Sequence, residues 1–377
     1  MADEKRFRVR YRLLADSPQD ADQRAKGIAL EQTVEIPGDI VPAGYISDEI
    51  VGRVESVGHI AGTAYEAVIS YSPDSAGDEV IQLINVIFGN SSIQQNIRVT
   101  GFEPGPVIRK RFEGPRFGIE GVRARSGRAR GGLISPVIKP QGSSVKQLAE
   151  IAYRCTLGGA DIIKDDHGLA NQAFAPFGER VRAVSEAVSE ANAKSGGSAL
   201  YFVNVTGHSG SPVDEAFRAK EAGVGGVLLM PGLMGFGVVQ ALARDPSFDL
   251  PIMTHPSFTG PFVITPETGV SHALMYGQFQ RLAGSDISVF PNVGGRFGFS
   301  VEECLSIAEA CRDSEGIGRA MMPSPGGGMS VERASDMVSM YGEDVVFLLG
   351  GSLLRAGDAI GDAVRAMRDA VDELTAF

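Results

Sequence analysis

The chain has 377 residues, enough for two domains, and 43% of them are hydrophobic, enough for a sizeable core. Acidic residues outnumber basic ones by 46 to 35, for a net charge of −11. That balance excludes a general nucleic-acid binder, and no window approaches the ~18 apolar residues of a membrane span.

The first ~120 residues mix element types. Arg6 to Ala15 (RFRVRYRLLA) alternates polar and apolar residues, as a half-buried strand does. Ser17 to Val34 has a serine start, acidic residues early and helical spacing of its apolar positions. Glu49 to Ile60 and Ala64 to Pro73 alternate again. Glu79 to Asn90 fits a helix or a strand, and Asn96 to Gly105 reads as a strand. This order predicts a small α+β, ferredoxin-like domain over 1–125. Arg109 to Gly132 is rich in arginine but broken by Gly, Pro and Glu. It reads as a solvated linker or an intersubunit surface, with an anionic-ligand role as the sharper alternative.

From Gly131 the pattern becomes regular. Eight apolar runs recur at 131–140, 159–166, 200–207, 223–232, 250–257, 284–292, 319–328 and 344–351, with helical periodicity between them. Apolar runs that do not alternate fit parallel strands covered on both faces. Eight such units in ~250 residues predict a TIM (β/α)8 barrel over 126–377, rather than an open doubly wound sheet. Cys155, Cys304 and Cys311 fall in helix-like stretches and form no C-x-x-C pair. They read as small hydrophobes, and with no signal-peptide pattern the expectation is a soluble cytoplasmic protein.

Barrel active sites lie at the carboxyl ends of the strands, and the polar residues collect there. Lys139 closes the first run; Lys164, Asp165, Asp166 and His167 close the second. Asn204, Thr206 and His208 follow the third, His255 the fifth, and Asn292 and Arg296 the sixth. Ser324 with Gly326 to Gly328 ends the seventh, and Gly350 with Gly351 ends the eighth. Asp166 offers a hard oxygen ligand. Lys164 is either the partner of Asp165 or Asp166 in a structural salt bridge or, as a carbamate, a ligand itself. Glycine turns serve either as tight turns or as anion cradles.

The stretch GGADIIKDDH, Gly158 to His167, resembles the metal-binding signature of the RuBisCO large-chain superfamily, G-G-x-D-x-x-K-D-D-E. VIKP (137–140), RLAGSDISVFPNVGGRFGF (281–299), PSPGGGM (323–329), FLLGGSL (347–353), ALEQTVEIP (29–37) and IFGN (87–90) resemble further active-site segments in the same order. The resemblance spans nearly the whole chain. It implies that Lys164 carries CO2 as a carbamate and shares Mg2+ with Asp166. His167 stands where the family has Glu, and a histidine suits softer divalent metals. Lys139 is implied as the acid/base, with His255 among the catalytic candidates. Ser324, Gly326, Gly327, Gly350 and Gly351 are implied in binding substrate phosphate. The active species is implied to be a homodimer or a higher homo-oligomer. In it Glu31 and Asn90 of one first domain complete the partner's barrel mouth.

Departures from the carboxylases point to a RuBisCO-like protein of the non-carboxylating, form IV kind. Pro256 and Val289 stand where the second phosphate of a bisphosphate would be held, so the substrate is expected to carry one phosphate. Arg296 replaces the lysine that stabilises added CO2, and Gln141 replaces a second strand-1 lysine. An arginine is suited to clamping an existing carboxylate. The favoured expectation is a decarboxylase of 3-oxo-isoapionate 4-phosphate acting through an enediolate. The alternative is an enolase or isomerase of a methylthio-sugar phosphate, with Phe258, Phe290 and Phe297 lining an apolar pocket. The salvage enolases are thought to use a first-domain lysine near the place of Asn90. A degenerate barrel with a binding role is the third reading.

Overall fold

The computed structural model describes residues 5–208 and 210–375. Strand β1 (Phe7–Leu14) buries every second residue, as its alternation requires. Ser17 then caps the helix Pro18–Glu31 by accepting the Asp20 N–H, with Pro18 in its first turn. Strands β2 (Arg53–Ala61) and β3 (Ala64–Tyr71) pair as a hairpin, and β4 (Ile97–Glu103) completes the set. Between them the ambiguous segment is a helix, Val80–Phe88, because Val80, Leu83, Val86 and Ile87 share one buried face. The order β4-β1-β3-β2, antiparallel throughout, is the ferredoxin-like arrangement.

Eight parallel strands close into a barrel. They are β5 (Leu133–Ile138), β6 (Ile162–Asp165), β7 (Leu200–Asn204), β8 (Gly226–Leu229) and β9 (Ile252–Thr254). After a two-residue strand β10 (Gly269–Val270) come β11 (Ile287–Pro291), β12 (Met322–Gly326) and β13 (Val346–Leu349). Each of the eight apolar runs contains one of these strands. One residue per strand fills the inner layer: Leu133, Ile162, Phe202, Leu228, Met253, Ile287, Met322 and Val346. Gly226 makes room for the Phe202 ring, which a Cβ there would meet at 2.5 Å.

The helix Gly118–Ser126 closes the floor of the barrel, with Val122 joining the inner layer. Asp286 pins it there: its Oδ1 accepts the Phe117 and Gly118 N–H groups, both at 2.8 Å, and its Oδ2 accepts that of Ile252 at 2.9 Å. The arginine-rich stretch is therefore not a solvated linker. Arg123 pairs with Asp344 at 2.8 Å, Arg125 with Asp249 at 2.9 Å and Arg128 with Asp372 at 2.7 Å. These pairs bind the residues just before the first barrel strand to the barrel's own acidic side chains. The three cysteines are buried and free. Among the described residues no helix is long and apolar enough to cross a membrane.

Strand β10 belongs to the connection after β9 but adds a fifth, parallel strand to the N-terminal sheet, pairing Gly269 with Arg98 and Val270 with Val99. Arg98 strengthens the junction. Its buried guanidinium donates to the carbonyls of Val263, Thr265 and Thr268. Replacing Arg98 with Met should speed amide exchange over 263–270 and lower stability by roughly 2–3 kcal/mol. Unchanged exchange would show that the β10 pairing alone holds the connection.

Candidate functional site

Side chains alternate along a strand, so Lys164 and Asp166 point one way from β6 and Asp165 the other. Asp165 points outward and is fully buried. It meets the Arg180 Nε at 3.3 Å, the Tyr201 hydroxyl at 2.9 Å and the Asn204 N–H at 3.0 Å. Arg180 comes from the helix Phe177–Ser195, on the buried stripe with Phe177, Val181 and Val184. The sequence reading missed it, although an arginine on an apolar stripe signals a buried counter-charge.

Lys164 is 1% exposed, inside the barrel. Its Nζ donates to the Asp165 carbonyl at 2.8 Å, and among the described residues no carboxylate lies within ion-pair distance of it. The structural salt bridge weighed for it is absent, since Asp165 is taken by Arg180. Burial pushes the Lys164 ammonium from 10.5 down to about 8, against the opposing pull of Asp166 and Asp165. A fraction of the amine is thus neutral near physiological pH, the form that can take up CO2.

Asp166 faces the mouth. Its Oδ1 lies 3.6 Å from the Lys139 Nζ and 3.7 Å from the His167 Nδ1, and its Oδ2 accepts the Gly168 N–H at 3.1 Å. The His167 ring stacks on His255, with centroids 4.3 Å apart and planes at 17°. Burial, and the nearby lysines for His255, hold both imidazoles below their ordinary value. The His255 Nδ1 accepts the Ser257 N–H at 3.3 Å and lies 2.9 Å from the Ser257 hydroxyl. Nδ1 is therefore the acceptor, and the proton of the neutral ring sits on Nε2. Sequence reasoning gave no role to Ser257.

The neighbouring turns frame this cluster. A Cβ on Gly350 would stand 3.6 Å from the Lys139 Nζ, so the turn after β13 lies against the lysine that ends β5. Gly351 opens the short helix Gly351–Leu354. After β12, Gly326 accepts the Asn292 N–H at 2.9 Å, and Gly327 takes a φ of +99° that favours glycine. Arg333 bonds the carbonyls of Gly328 and Val293, joining this turn to the segment that carries Arg296. Arg296 is exposed, rests on the Phe297 ring, and its charge is felt at His167.

Ser324 is fully buried and donates to the Val346 carbonyl at 3.1 Å, a tie between β12 and β13. Phe290 points into the helix layer against Tyr341 and does not line the mouth, while Phe258 and Phe297 are exposed. Alternation explains this, because Val289 takes the inward position on β11. Asn204 donates to the His167 and Leu169 carbonyls, and His208 is engaged by the buried Glu215. Glu31 and Asn90 meet each other on the N-terminal unit. The Asn90 Nδ2 donates to Glu31 and Glu35, at 3.0 Å each. Among the described residues neither bonds to Lys139, Lys164, Asp166 or His167 of the same chain.

The fold and site define a (β/α)8 barrel whose mouth gathers two lysines, one carboxylate and two imidazoles, joined to a ferredoxin-like unit. Residues 118–296 match the family of the ribulose bisphosphate carboxylase large chain, catalytic domain. The chain is 38% identical over 356 residues to ribulose bisphosphate carboxylase-like protein 1 of Rhodopseudomonas palustris, covering 94% of this chain and 95% of that one. It is 37% identical over 363 residues to 5-methylthioribulose-1-phosphate isomerase of Rhodospirillum rubrum, covering 96% and 95%. The crystal structure of a RuBisCO-like protein from Rhodopseudomonas palustris superposes with a TM-score of 0.86 at 36% identity, covering 98% of both chains. The chain belongs to the RuBisCO large-chain superfamily, as a RuBisCO-like protein.

Lys164 yields a stability prediction. Below pH 8 both the folded and unfolded chains carry its proton, and the folded chain bears the full cost of a buried charge. Between about 8 and 10.5 the folded chain has released the proton and the unfolded chain has not, so wild-type stability rises with pH. Lys164→Met should therefore be more stable than wild type below pH 8, by at most about 3 kcal/mol. The difference should vanish by about pH 10.5. Denaturation of both proteins across this range checks it.

Proposed function

We propose that the protein is a non-carboxylating, metal-dependent enzyme that moves protons on a monophosphorylated keto-sugar. The reaction favoured is isomerisation of a methylthio-sugar phosphate. The supporting observation is the Lys139 ammonium, 3.6 Å from Asp166 and set against the Gly350 turn. Acid/base, acidic ligand and phosphate turn thus share one mouth. The relative of 37% identity, named for 5-methylthioribulose-1-phosphate isomerisation over nearly its whole length, favours this substrate class over a sugar acid.

Asp166, His167 and a carbamylated Lys164 would hold the divalent ion. Their fit rests on a carboxylate at the mouth and a buried amine held at about 8 with no carboxylate partner among the described residues. Carbamylation joins the neutral Lys164 Nζ to the carbon of CO2 and releases one proton. A divalent cation at this place supplies electrophilic polarisation of the substrate carbonyl. Lys139, once it has parted from Asp166 and given its own proton to solvent, takes the proton from the carbon beside that carbonyl. The resulting ammonium returns it to the former carbonyl carbon, and the hydroxyl proton passes to the oxygen on that carbon, so the carbonyl moves along the chain by one carbon. His255 presents its Nε2–H as a donor to substrate oxygen. The glycine turns at Gly326, Gly327, Gly350 and Gly351 offer backbone N–H groups to the single phosphate.

Decarboxylation of 3-oxo-isoapionate 4-phosphate is the second reading. Arg296 favours it, as an exposed guanidinium whose charge reaches the mouth.

Purified protein with divalent metal and bicarbonate should incorporate solvent deuterium into 5-methylthioribulose 1-phosphate, observed by NMR. It should release no CO2 from the sugar acid and should not carboxylate ribulose 1,5-bisphosphate. Lys139→Met should lower turnover at least about a hundredfold while metal binding is retained. CO2 release with no deuterium exchange would move the assignment to the decarboxylase.

Glu31 and Asn90 are read as contributions of one subunit to its partner's mouth in a homodimer. Mixing Lys164→Met with Asn90→Ala subunits should then rescue roughly a quarter of wild-type activity, since half the dimers regain one site. Failure to rescue after proven subunit exchange would return both residues to a local role, holding the turn at Glu35.

A further inference from the structure

Asp166 and His167 set two unlike donors side by side. The His167 Nδ1 stands 3.7 Å from the Asp166 Oδ1, beyond a hydrogen bond. It is close to the roughly 3–3.6 Å that separates two donors bonded at ~2.1 Å to one first-row divalent ion. Among the described residues no hydrogen bond engages either ring nitrogen of His167. Stacking on His255 fixes the plane of the ring, and the side chain remains 48% exposed. Among the described residues no three His, Cys, Asp or Glu side chains converge on one point. The side chains as they stand therefore offer a pair, one oxygen and one nitrogen. The Lys139 ammonium, 3.6 Å from the same Oδ1, occupies the place of a cation beside the pair.

We propose that this site takes a borderline divalent ion of the Mn2+, Fe2+ or Co2+ class in preference to Mg2+, with a His167 nitrogen as ligand beside Asp166. The inference rests on the metal-dependent reading above and sharpens it. Mg2+ requires near-octahedral oxygen ligands and gives up its water reluctantly. An imidazole in place of an oxygen ligand weakens its hold on the site. The same imidazole strengthens binding of the transition ions, whose affinity for nitrogen rises along the series from Mn2+ to Co2+. The side chain at position 167 thus sets the choice of ion, while Asp166 and Lys164 set the charge.

The test measures binding directly, without substrate. The full-length protein, with bicarbonate, is titrated with Mn2+ against competing Mg2+, and the bound Mn2+ is examined by electron spin-echo spectroscopy for coupling to 14N. Wild type should hold Mn2+ at least about a hundredfold more tightly than Mg2+ and should show imidazole coupling. His167→Glu should lower that preference at least about tenfold and abolish the coupling. His167→Ala should abolish the coupling as well, which guards against a folding defect in one variant. His255→Asn should keep the coupling. An unchanged preference in His167→Glu overturns the inference and leaves the metal-dependent reading intact. So does a coupling that survives in both His167 variants. Failure of wild type to bind either ion removes both readings.

Discussion

The buried ion pair between Asp165 and Arg180, 3.3 Å apart with both side chains fully enclosed, decides how the site is built. Strand β6 ends in Lys164 and Asp165 with Asp166 just beyond, and a slip of one residue would turn Asp165 into the barrel and Lys164 and Asp166 out of it. Arg180 fixes the choice, because it is itself fully buried on the outward side and needs Asp165 as its counter-charge there. The Tyr201 hydroxyl and the Asn204 N–H complete its hydrogen bonding. Such a pair adds little net stability over an apolar replacement, while loss of one partner leaves a buried charge uncompensated. Its effect here is orientation. Asn204 carries the constraint onward, tying the His167 and Leu169 carbonyls to the end of β7.

The inner face of the barrel sets the electrostatics. Below Lys164 lies a layer of eight apolar side chains, one from each strand. That layer offers no compensation to an ammonium, so burial lowers the lysine's hold on its proton to about 8. The two imidazoles beside it are pushed the same way by burial. Among the described residues Asp166 is the carboxylate that acts on His167, against the positive charges of Lys164, Lys139 and Arg296, although the chain as a whole carries −11. A local excess of positive charge on an acidic protein attracts small anions without attracting polyanions in general. A sugar phosphate fits that field.

The barrel was legible because its strands are apolar on both faces and stand out from the helices between them. The polar residues at their ends marked the mouth for the same reason. Single residues were less legible where direction mattered. Composition does not say that Asp165 points away from Lys164, nor that Phe290 points away from Val289, although strict alternation along the strand does. The arginines of 109–132 resembled a solvated stretch because their acidic partners, Asp249, Asp344 and Asp372, are far away in the sequence. Strand β10 has only two residues and left no periodic signal, yet it joins the two units. The metal reading drew on a resemblance, and His167 marks where that resemblance stops guiding the chemistry.

The junction between the units also bears on the mouth. Arg98 of the N-terminal sheet grips the carbonyls of Val263, Thr265 and Thr268, and β10 is zipped to β4 just beyond them. Upstream in the same connection the Thr259 hydroxyl meets the Tyr276 hydroxyl at 2.9 Å and the Pro256 carbonyl at 2.6 Å. Pro256 directly follows His255, and Ser257 fixes the tautomer of its ring. Hydrogen bonds thus brace this connection at successive points, from the N-terminal sheet at 263–270 to Thr259 and the imidazole at the end of β9. The ring gains its orientation from a loop, and the loop gains its rigidity from a separate sheet. An irregular connection cannot hold a ring plane by itself, because its backbone lacks a ladder to fix it. Here a neighbouring sheet supplies that ladder, which makes the N-terminal unit part of the site's architecture within a single chain.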